Sequence, residues 1–180
     1  MGSTLKGKSA IVTGATGGIG NGIASAFAEE GCNIMFNGFG DSEEIEAFRG
    51  NLSDRHDVDV FYDKCDLTDL AQISEMIANA AERFGRIDIL VNNAGIQHVS
   101  PINEFPTEKF QRIIETNLAA PFYTIRGVLP IMKKNSGVGS LTSHPLTVMS
   151  DPFIKVPIRP QNMVSSALPK SWRWRRRKPT

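Results

Sequence analysis

A glycine-rich turn between an apolar run and a helical segment is the feature that most constrains the fold of this chain. Residues 9–12 form the apolar run, and Thr13 to Gly20 forms the turn, in which four of eight residues are glycine. Apolar residues then recur at helical spacing as far as Glu30, just before Gly31. Glycines at the start of a helix let a phosphate approach the backbone N–H groups at its positive end. A plain tight loop is the alternative, and the flanking strand and helix favour the phosphate site.

Strand and helix patterns alternate along the first 135 residues. Beyond the first pair, the sequence predicts strands at 33–36, 58–62 and 87–91 and helices at 42–48, 70–84 and 107–132. Pro121 predicts a kink or break in the last helix. This alternation is typical of an α/β domain, so we expect a single Rossmann-like doubly wound parallel sheet. No clear strand pattern follows Asn135, and the sheet is expected to be truncated after about four strands.

Charge and composition change after residue 135. Residues 136–180 hold 8 of the 20 Lys and Arg but only 1 of the 19 Asp and Glu, which leaves 12 basic against 18 acidic residues before them. The tail has scattered prolines, two tryptophans and an Arg175-Arg176-Arg177 run without a clear period. A basic, aromatic tail of this kind can bind nucleic acid or an anionic membrane. The alternative, which we favour, is an accidental sequence with neither partner.

Cys32 and Cys65 are isolated in the sequence. No Cys-x-x-Cys spacing or His cluster accompanies them, so we expect two reduced, buried thiols and no bound metal. Residues 1–10 lack the apolar stretch of a signal peptide, and no apolar run approaches the roughly 18 residues of a membrane helix. These observations predict a cytoplasmic protein without a membrane partner.

Three short motifs follow predicted strands, and a fourth lies in the last predicted helix. They are Thr-Gly-x-x-x-Gly-x-Gly at 13–20, Asp66-Leu67, Asn92-Asn93-Ala94-Gly95, and Asn117 within a Thr-Asn-Leu-Ala segment. Together they resemble the short-chain dehydrogenase/reductase family. Segments 37–41, 95–98 and 105–110 are similar to the bacterial D-3-hydroxybutyrate dehydrogenases within that family. The resemblance implies an NAD-dependent oxidoreductase acting on a small hydroxy acid or keto acid, 3-hydroxybutyrate and acetoacetate above all, and a homotetramer for an intact family member.

The resemblance also implies which residues form the site. Cofactor binding is expected at Gly14, Thr16, Gly18, Ile19, Gly20, Phe39, Asp66, Leu67, Asn93, Ala94 and Gly95. NAD is favoured over NADP because no Lys or Arg occurs between Cys32 and Phe48 to neutralise a 2′-phosphate. Asn37 stands where the family usually has a carboxylate, so the ribose contact is expected near Phe39. Gln97 is expected to bind the substrate carboxylate, with an ordinary surface glutamine as the alternative.

The family's catalytic serine, tyrosine and lysine have no counterpart in this chain. In the family, the tyrosine takes the hydroxyl proton, the lysine lowers its pKa and an asparagine anchors a water relay. Only that asparagine is matched, by Asn117, because neither Tyr62 nor Tyr123 has a lysine four residues on. We therefore expect residues 1–135 to be the NAD-binding half of such a domain, and the chain as written to be inactive.

A shift of reading frame would explain the tail. When codons are rebuilt from the last base of one codon and the first two of the next, residues from Ser136 onward permit the family's fifth strand and catalytic serine. The serine falls between His144 and Pro145, and the tyrosine of a Tyr-x-x-x-Lys pair falls thirteen positions later, between Pro157 and Ile158. Residues 136–180 are thus predicted to be out of frame, and an error in the recorded sequence is the other explanation.

Overall fold

The computed structural model describes residues 5–135 in full and, beyond them, only the backbone of residues 139–142. The strands of this part of the chain are β1 (Ser9–Val12), β2 (Asn33–Asn37), β3 (Val60–Asp63), β4 (Ile89–Asn92) and β5 (Gly139–Thr142). The helices are α1 (Gly18–Glu29), α2 (Ser42–His56), α3 (Leu70–Phe84), α4 (Thr107–Ile114) and α5 (Ala120–Lys134). A 3₁₀ turn (Ile102–Glu104) precedes α4, and a π-helical turn (Glu115–Ala119) joins α4 to α5.

The strands lie parallel in one sheet, in the order β3-β2-β1-β4-β5. The chain moves outward from β1 to β3 and then returns to the other side of β1 with β4, where Val12 pairs with Val91. Ligands of such sheets bind outside the carboxyl ends of the strands, at this point of reversal. The predicted Rossmann-like α/β fold is confirmed.

Helices cover both faces of the sheet, so its central strands are apolar on both sides. Val12 and Phe36 belong to the cluster that packs against α1 and α2, whereas Ile11 and Leu90 belong to the one against α3 and α5. All four side chains are fully buried. Burying a side chain of this size stabilises the fold by about 1.5–3 kcal/mol. The sheet is therefore a firm platform for the loops at its carboxyl edge.

The structure adds one edge strand to the about four that the sequence predicts. Residues 139–142 form β5, which pairs in parallel with β4 from Ile89–Gly139 to Asn92–Thr142. Glycine and serine give this segment little intrinsic strand preference, but the edge of β4 offers a row of N–H and C=O groups, and pairing there outweighs local propensity. Apart from this strand, the predicted out-of-frame tail, residues 136–180, lies outside the described residues.

The break predicted at Pro121 begins earlier in the chain. α4 ends at Ile114, the π-helical turn follows, and α5 starts at Ala120. Pro121 lies in the first turn of α5, directly after the π-helical turn, and has no N–H to donate to the preceding helical carbonyls. Residues around Asn117 therefore follow a wider helical path than the periodicity of the sequence predicts.

The two cysteines are free and buried, as predicted. Burial is the main cause that raises the pKa of Cys32 and of Cys65 to about 12. Carboxylates add to the effect, Asp88 at Cys32 and Asp63 at Cys65. Both thiols are therefore protonated at neutral pH and chemically inert.

Candidate dinucleotide-binding site

The candidate site lies at the carboxyl ends of the central strands, where the glycine-rich turn enters α1. Gly17 precedes α1, and no side chain caps this helix. By contrast, the carboxylates of Asp41 and Asp69 cap α2 and α3 by accepting hydrogen bonds from first-turn amides. An uncapped helix start leaves N–H groups and the positive end of the helix dipole available to an anion. The amides of residues 18–20 are thus suited to a phosphate group.

Two glycines of the turn pack too closely for any side chain. A Cβ at Gly14 would lie 2.6 Å from the Cα of Ala94, and one at Gly20 would collide with the side-chain amide of Asn93. Gly18 differs, since nothing lies within 4 Å of its Cβ position and its φ is +56°. The turn is therefore pressed against the end of β4 on one side and open to a ligand on the other.

Thr13 and Asn93 fasten the turn to β4. The side-chain amide of Asn93 donates to the carbonyls of Thr13 at 3.1 Å and Gly14 at 2.8 Å. The Thr13 hydroxyl accepts from the amides of Asn93 and Ala94, both at 3.1 Å, and donates to the carbonyl of Val91 at 3.3 Å. The predicted site residues include Asn93 and Ala94 but not Thr13, although Thr13 begins the glycine-rich motif.

The loop after β2 lies against the same turn. The Thr16 hydroxyl donates to the carbonyl of Phe39 at 2.8 Å, and a Cβ at Gly38 would lie 2.5 Å from that hydroxyl oxygen. Asn37 is buried, and its side-chain amide donates to two backbone carbonyls at the end of β3, at 3.1 and 2.8 Å. Asn37 therefore offers no side-chain donor to a ribose, and Phe39 is the exposed side chain of the loop.

Two apolar side chains of the predicted set are exposed beside these backbone features. Ile19, in the first turn of α1, is 74% exposed, and Phe39 is 66% exposed. Binding sites for aromatic cofactors combine apolar side chains with a few placed polar groups. Ile19 and Phe39 are thus available as apolar contacts for a planar base or a ribose.

The Asp66-Leu67 segment forms the rim beyond β3. The Asp66 carboxylate accepts from the amide and the hydroxyl of Thr68, at 2.9 and 2.8 Å, and lies 3.5 Å from Arg112 on α4. The bonds from Thr68 are the main cause that lowers the pKa of Asp66. Leu67 is buried and anchors the segment. Asp66 is therefore an ionised acceptor at the rim, suited to the N–H groups of a base.

Asn117 reaches across from the π-helical turn to the loop after β4. Its side-chain amide donates to the carbonyl of Ile96 and accepts from the amide of Ile96, both at 2.9 Å. Gly95 and Gln97, on either side of Ile96, are exposed, and Gln97 makes no side-chain hydrogen bond within residues 5–135. The structure brings Asn117 to the loop that carries Gln97 and leaves the Gln97 side chain free to meet a ligand.

A second polar link, absent from the sequence prediction, joins α5 to the end of β4. The Thr124 hydroxyl donates to the side-chain carbonyl of Asn92 at 2.7 Å, and both residues are buried. The Asn92 side-chain nitrogen is buried without a hydrogen-bond partner in the described part of the chain. Thr124 and Asn92 are 32 residues apart in the sequence, so no local pattern indicates that they form a hydrogen bond.

The described residues offer neither a metal site nor a helix that could span a membrane. No group of three or more His, Cys, Asp or Glu side chains there is arranged to hold a metal ion. No helix within them combines the length and the apolar character needed to cross a bilayer.

Comparison with known proteins gives one family. A family model described as short chain dehydrogenase matches residues 8–142. The D-beta-hydroxybutyrate dehydrogenase of Rhizobium meliloti (strain 1021) is 46% identical over 127 residues, which are 71% of this chain and 49% of that protein. The protein of the same name from Cupriavidus necator is 47% identical over 130 residues, which are 72% of this chain and 50% of its own length. The chain thus spans about half the length of these curated relatives.

Solved structures agree with the sequence matches. An alcohol dehydrogenase from the archaeon Thermococcus sibiricus, complexed with 5-hydroxy-NADP, is similar with a TM-score of 0.70 and 31% identity. The similarity covers 75% of this chain and 57% of the archaeal one. With the family match, the fold and the turn geometry in accord, the chain belongs to the short chain dehydrogenase family.

Proposed function

We propose that the chain is the cofactor-binding half of an NAD-dependent oxidoreductase that acts on 3-hydroxybutyrate and acetoacetate, or on a similar hydroxy acid and keto acid. The main support for a dinucleotide site is the uncapped start of α1, which lies beside a turn held in place by Thr13 and Asn93. The substrate class rests on the two D-beta-hydroxybutyrate dehydrogenases at 46% and 47% identity. The chain covers about half the length of each relative, so the activity of the whole protein is something we propose from the similarity.

The charges around the loop after β2 favour NAD over NADP. No Lys or Arg occurs between residues 32 and 48, whereas Asp41, Glu43 and Glu44 are exposed just after the loop. A 2′-phosphate near these carboxylates would be repelled and would find no cation to pair with. The archaeal alcohol dehydrogenase is complexed with 5-hydroxy-NADP, so the preference of this chain for NAD is proposed on the local charges alone.

Each part of the site has a separate task in this proposal. Bound NAD supplies the chemistry, since it accepts the hydride that leaves the carbinol carbon of a hydroxy acid. The amides of residues 18–20 bind its phosphates, and Asp66 accepts from its base. Asn117 orients the loop in which Gln97 contacts the substrate carboxylate. No tyrosine follows Tyr123 to take the hydroxyl proton, so we propose that this chain binds NAD without turning substrate over.

Calorimetric titration with NAD tests the cofactor site. Ile19→Asp places a carboxylate in the first turn of α1, and we expect it to weaken NAD binding at least about tenfold by charge repulsion. Leu70→Asp is the matched control, because Leu70 is an exposed apolar residue in the first turn of α3. No binding by the parent chain, or equal loss in both variants, would overturn the assignment.

The reading frame decides whether catalysis is recoverable. The family match ends at residue 142, shortly after residue 135, and we propose that the chain leaves the family's frame at Ser136. Resequencing the DNA across codons 130–140 and expressing the neighbouring frame tests this directly. The restored chain should oxidise 3-hydroxybutyrate with NAD, and the 180-residue chain should not. Turnover by a verified 180-residue chain, or no family sequence in the adjacent frame, would contradict the proposal.

We further propose that the chain associates with copies of itself through an apolar stripe, defined as Phe110, Ile114, Leu118 and Phe122. These residues recur every four positions along α4, the π-helical turn and α5, and each is more than 40% exposed. Light scattering should show Phe110→Ser and Phe122→Ser shifting the chain toward monomer. Ile102→Ser is the control, since Ile102 is 90% exposed outside the stripe. Monomeric parent protein would reject self-association.

The alternative, a binding module that uses its basic tail, concerns residues 171–180, which lie outside the described residues. No contact or charge cluster of the described part supports it. A cytoplasmic location likewise stays a prediction.

A further inference from the structure

The loop of residues 37–40 is held by two hydroxyl groups, of Tyr62 and of Thr16, and only Thr16 is among the residues expected to contact the cofactor. The Tyr62 hydroxyl, on β3, donates to the carbonyl of Gly38 at 2.8 Å. The Thr16 hydroxyl, in the glycine-rich turn, donates to the carbonyl of Phe39 at 2.8 Å. Consecutive carbonyls are thus bonded from two sides, so the path of the backbone between them is set by elements outside the loop.

The position that follows β2 is closed to any side chain. A Cβ at Gly38 would lie 2.5 Å from the Thr16 hydroxyl oxygen and 2.8 Å from the Thr16 methyl carbon. The side chain of Asn37 points away from the loop and donates a hydrogen bond to the end of β3. The backbone carbonyl of Asn37 accepts from the amide of Ala15 at 2.7 Å. The chain therefore has no means of presenting a carboxylate to a ribose from the end of β2.

The environment of Tyr62 keeps its hydroxyl protonated, so that it can donate a hydrogen bond. It is half-buried, and its ring packs against Phe36 at a centroid distance of 5.4 Å. Burial, followed by the charge of Asp63, raises the pKa of its hydroxyl. The hydroxyl is therefore protonated, and able to donate, at neutral pH.

We propose that Thr16 and Tyr62 are positioning residues for cofactor selection, which hold the backbone of residues 37–40 in the one shape that accepts the adenosine ribose and excludes a 2′-phosphate. The inference rests on the proposed NAD function. A loop held in one conformation distinguishes NAD from NADP by shape. When one of its hydrogen bonds is removed, the backbone can move and make room for the 2′-phosphate. The exposed carboxylates of Asp41 and Glu43 then remain as the charge barrier.

Tyr62→Phe and Thr16→Val remove one hydroxyl each while keeping side-chain volume. Calorimetric titration of the 180-residue chain with NAD and with NADP should show NAD binding weakened about three- to tenfold and the NAD-to-NADP preference narrowed. Thr16→Ser keeps a hydroxyl and should restore the parent values. Tyr123→Phe is the matched control, because Tyr123 is the other tyrosine of the chain and makes no hydroxyl bond within residues 5–135.

Hydrogen exchange, measured in the absence of cofactor, tests whether Tyr62 positions the loop or only contacts the ligand directly. In Tyr62→Phe, the amides of residues 38–41 should exchange faster while those of β1 keep parent rates. Parent-like preference in both variants, or parent-like exchange in this segment, would overturn the inference and leave the NAD site standing. Failure of the parent chain to bind NAD would overturn both.

Discussion

The side-chain amide of Asn117 and the backbone of Ile96 form a two-point link, with both hydrogen bonds at 2.9 Å. The link fastens the loop after β4 to the π-helical turn. Asn117→Ala should lower the free energy of unfolding by about 1–2 kcal/mol and speed hydrogen exchange at Ile96. Thr116→Ala, in the same turn, is the control. Equal exchange rates at Ile96 in both variants would show that the link does not hold the loop.

Gly14 is predicted to be the most sensitive glycine of the turn. Gly14→Ala combines a φ of +63° with a Cβ 2.6 Å from the backbone of Ala94, and it should cost about 2–4 kcal/mol of stability. Gly22→Ala should instead stabilise by up to about 1 kcal/mol, because Gly22 lies inside α1 with nothing within 4 Å of its Cβ position. Urea denaturation measures both, and a neutral Gly14→Ala would contradict the packing argument.

Asp88 should give the fold a specific acid sensitivity. This carboxylate is 4% exposed and accepts from Lys8, Arg86 and the amide of Ser9. Burial alone would raise its pKa, but the bonds from Arg86, Ser9 and Lys8 outweigh burial and lower it. A lowered folded-state pKa stabilises the protein above the unfolded value of about 3.9, and this stability is lost as pH falls through the folded value.

Asp88→Asn therefore should cost about 1–3 kcal/mol at neutral pH and lose less further stability than the parent between about pH 5 and pH 3. Glu46→Gln is the matched control, since its ion pair with Arg49 is exposed and worth little. A parent-like acid profile in Asp88→Asn would show that another carboxylate dominates.

Cys32 and Cys65 should react with thiol reagents only on unfolding. Burial raises the pKa of both thiols to about 12, so the thiolate fraction at pH 8 is on the order of one in ten thousand. Reaction with Ellman's reagent should be slow in buffer and rapid in denaturant. Fast labelling of either cysteine in the folded protein would mean that its segment opens locally.

The parts of the fold that follow local rules were predictable. The turn of residues 13–20 was predictable because positions 14 and 20 have no room for a side chain and therefore require glycine. The spacing of these glycines is visible in the sequence. The alternating apolar runs predicted the sheet because buried parallel strands are apolar on both faces. These signals lie within a few residues of each other along the chain.

The parts that depend on distant partners were not predictable. β5 forms because the edge of β4 is available, not because its own sequence favours a strand. The inward direction of Asn37 depends on carbonyls at the end of β3, 26 and 28 residues away. Thr13 and Tyr62 likewise acquire their roles from groups just beyond the ends of β4 and β2.

The pairing of Val12 with Val91 fixes the alignment of β1 and β4, on which the hydrogen bonds between the glycine-rich turn and the end of β4 depend. Side chains alternate between faces along a strand, so a slip of β4 by one residue would turn Asn93 away from Thr13 and Gly14. Insertions in the loop before Ile89 would preserve the turn, whereas a single residue added within β4 would dismantle it. Redesign of this scaffold therefore has freedom in its connections and none in the alignment of its two central strands.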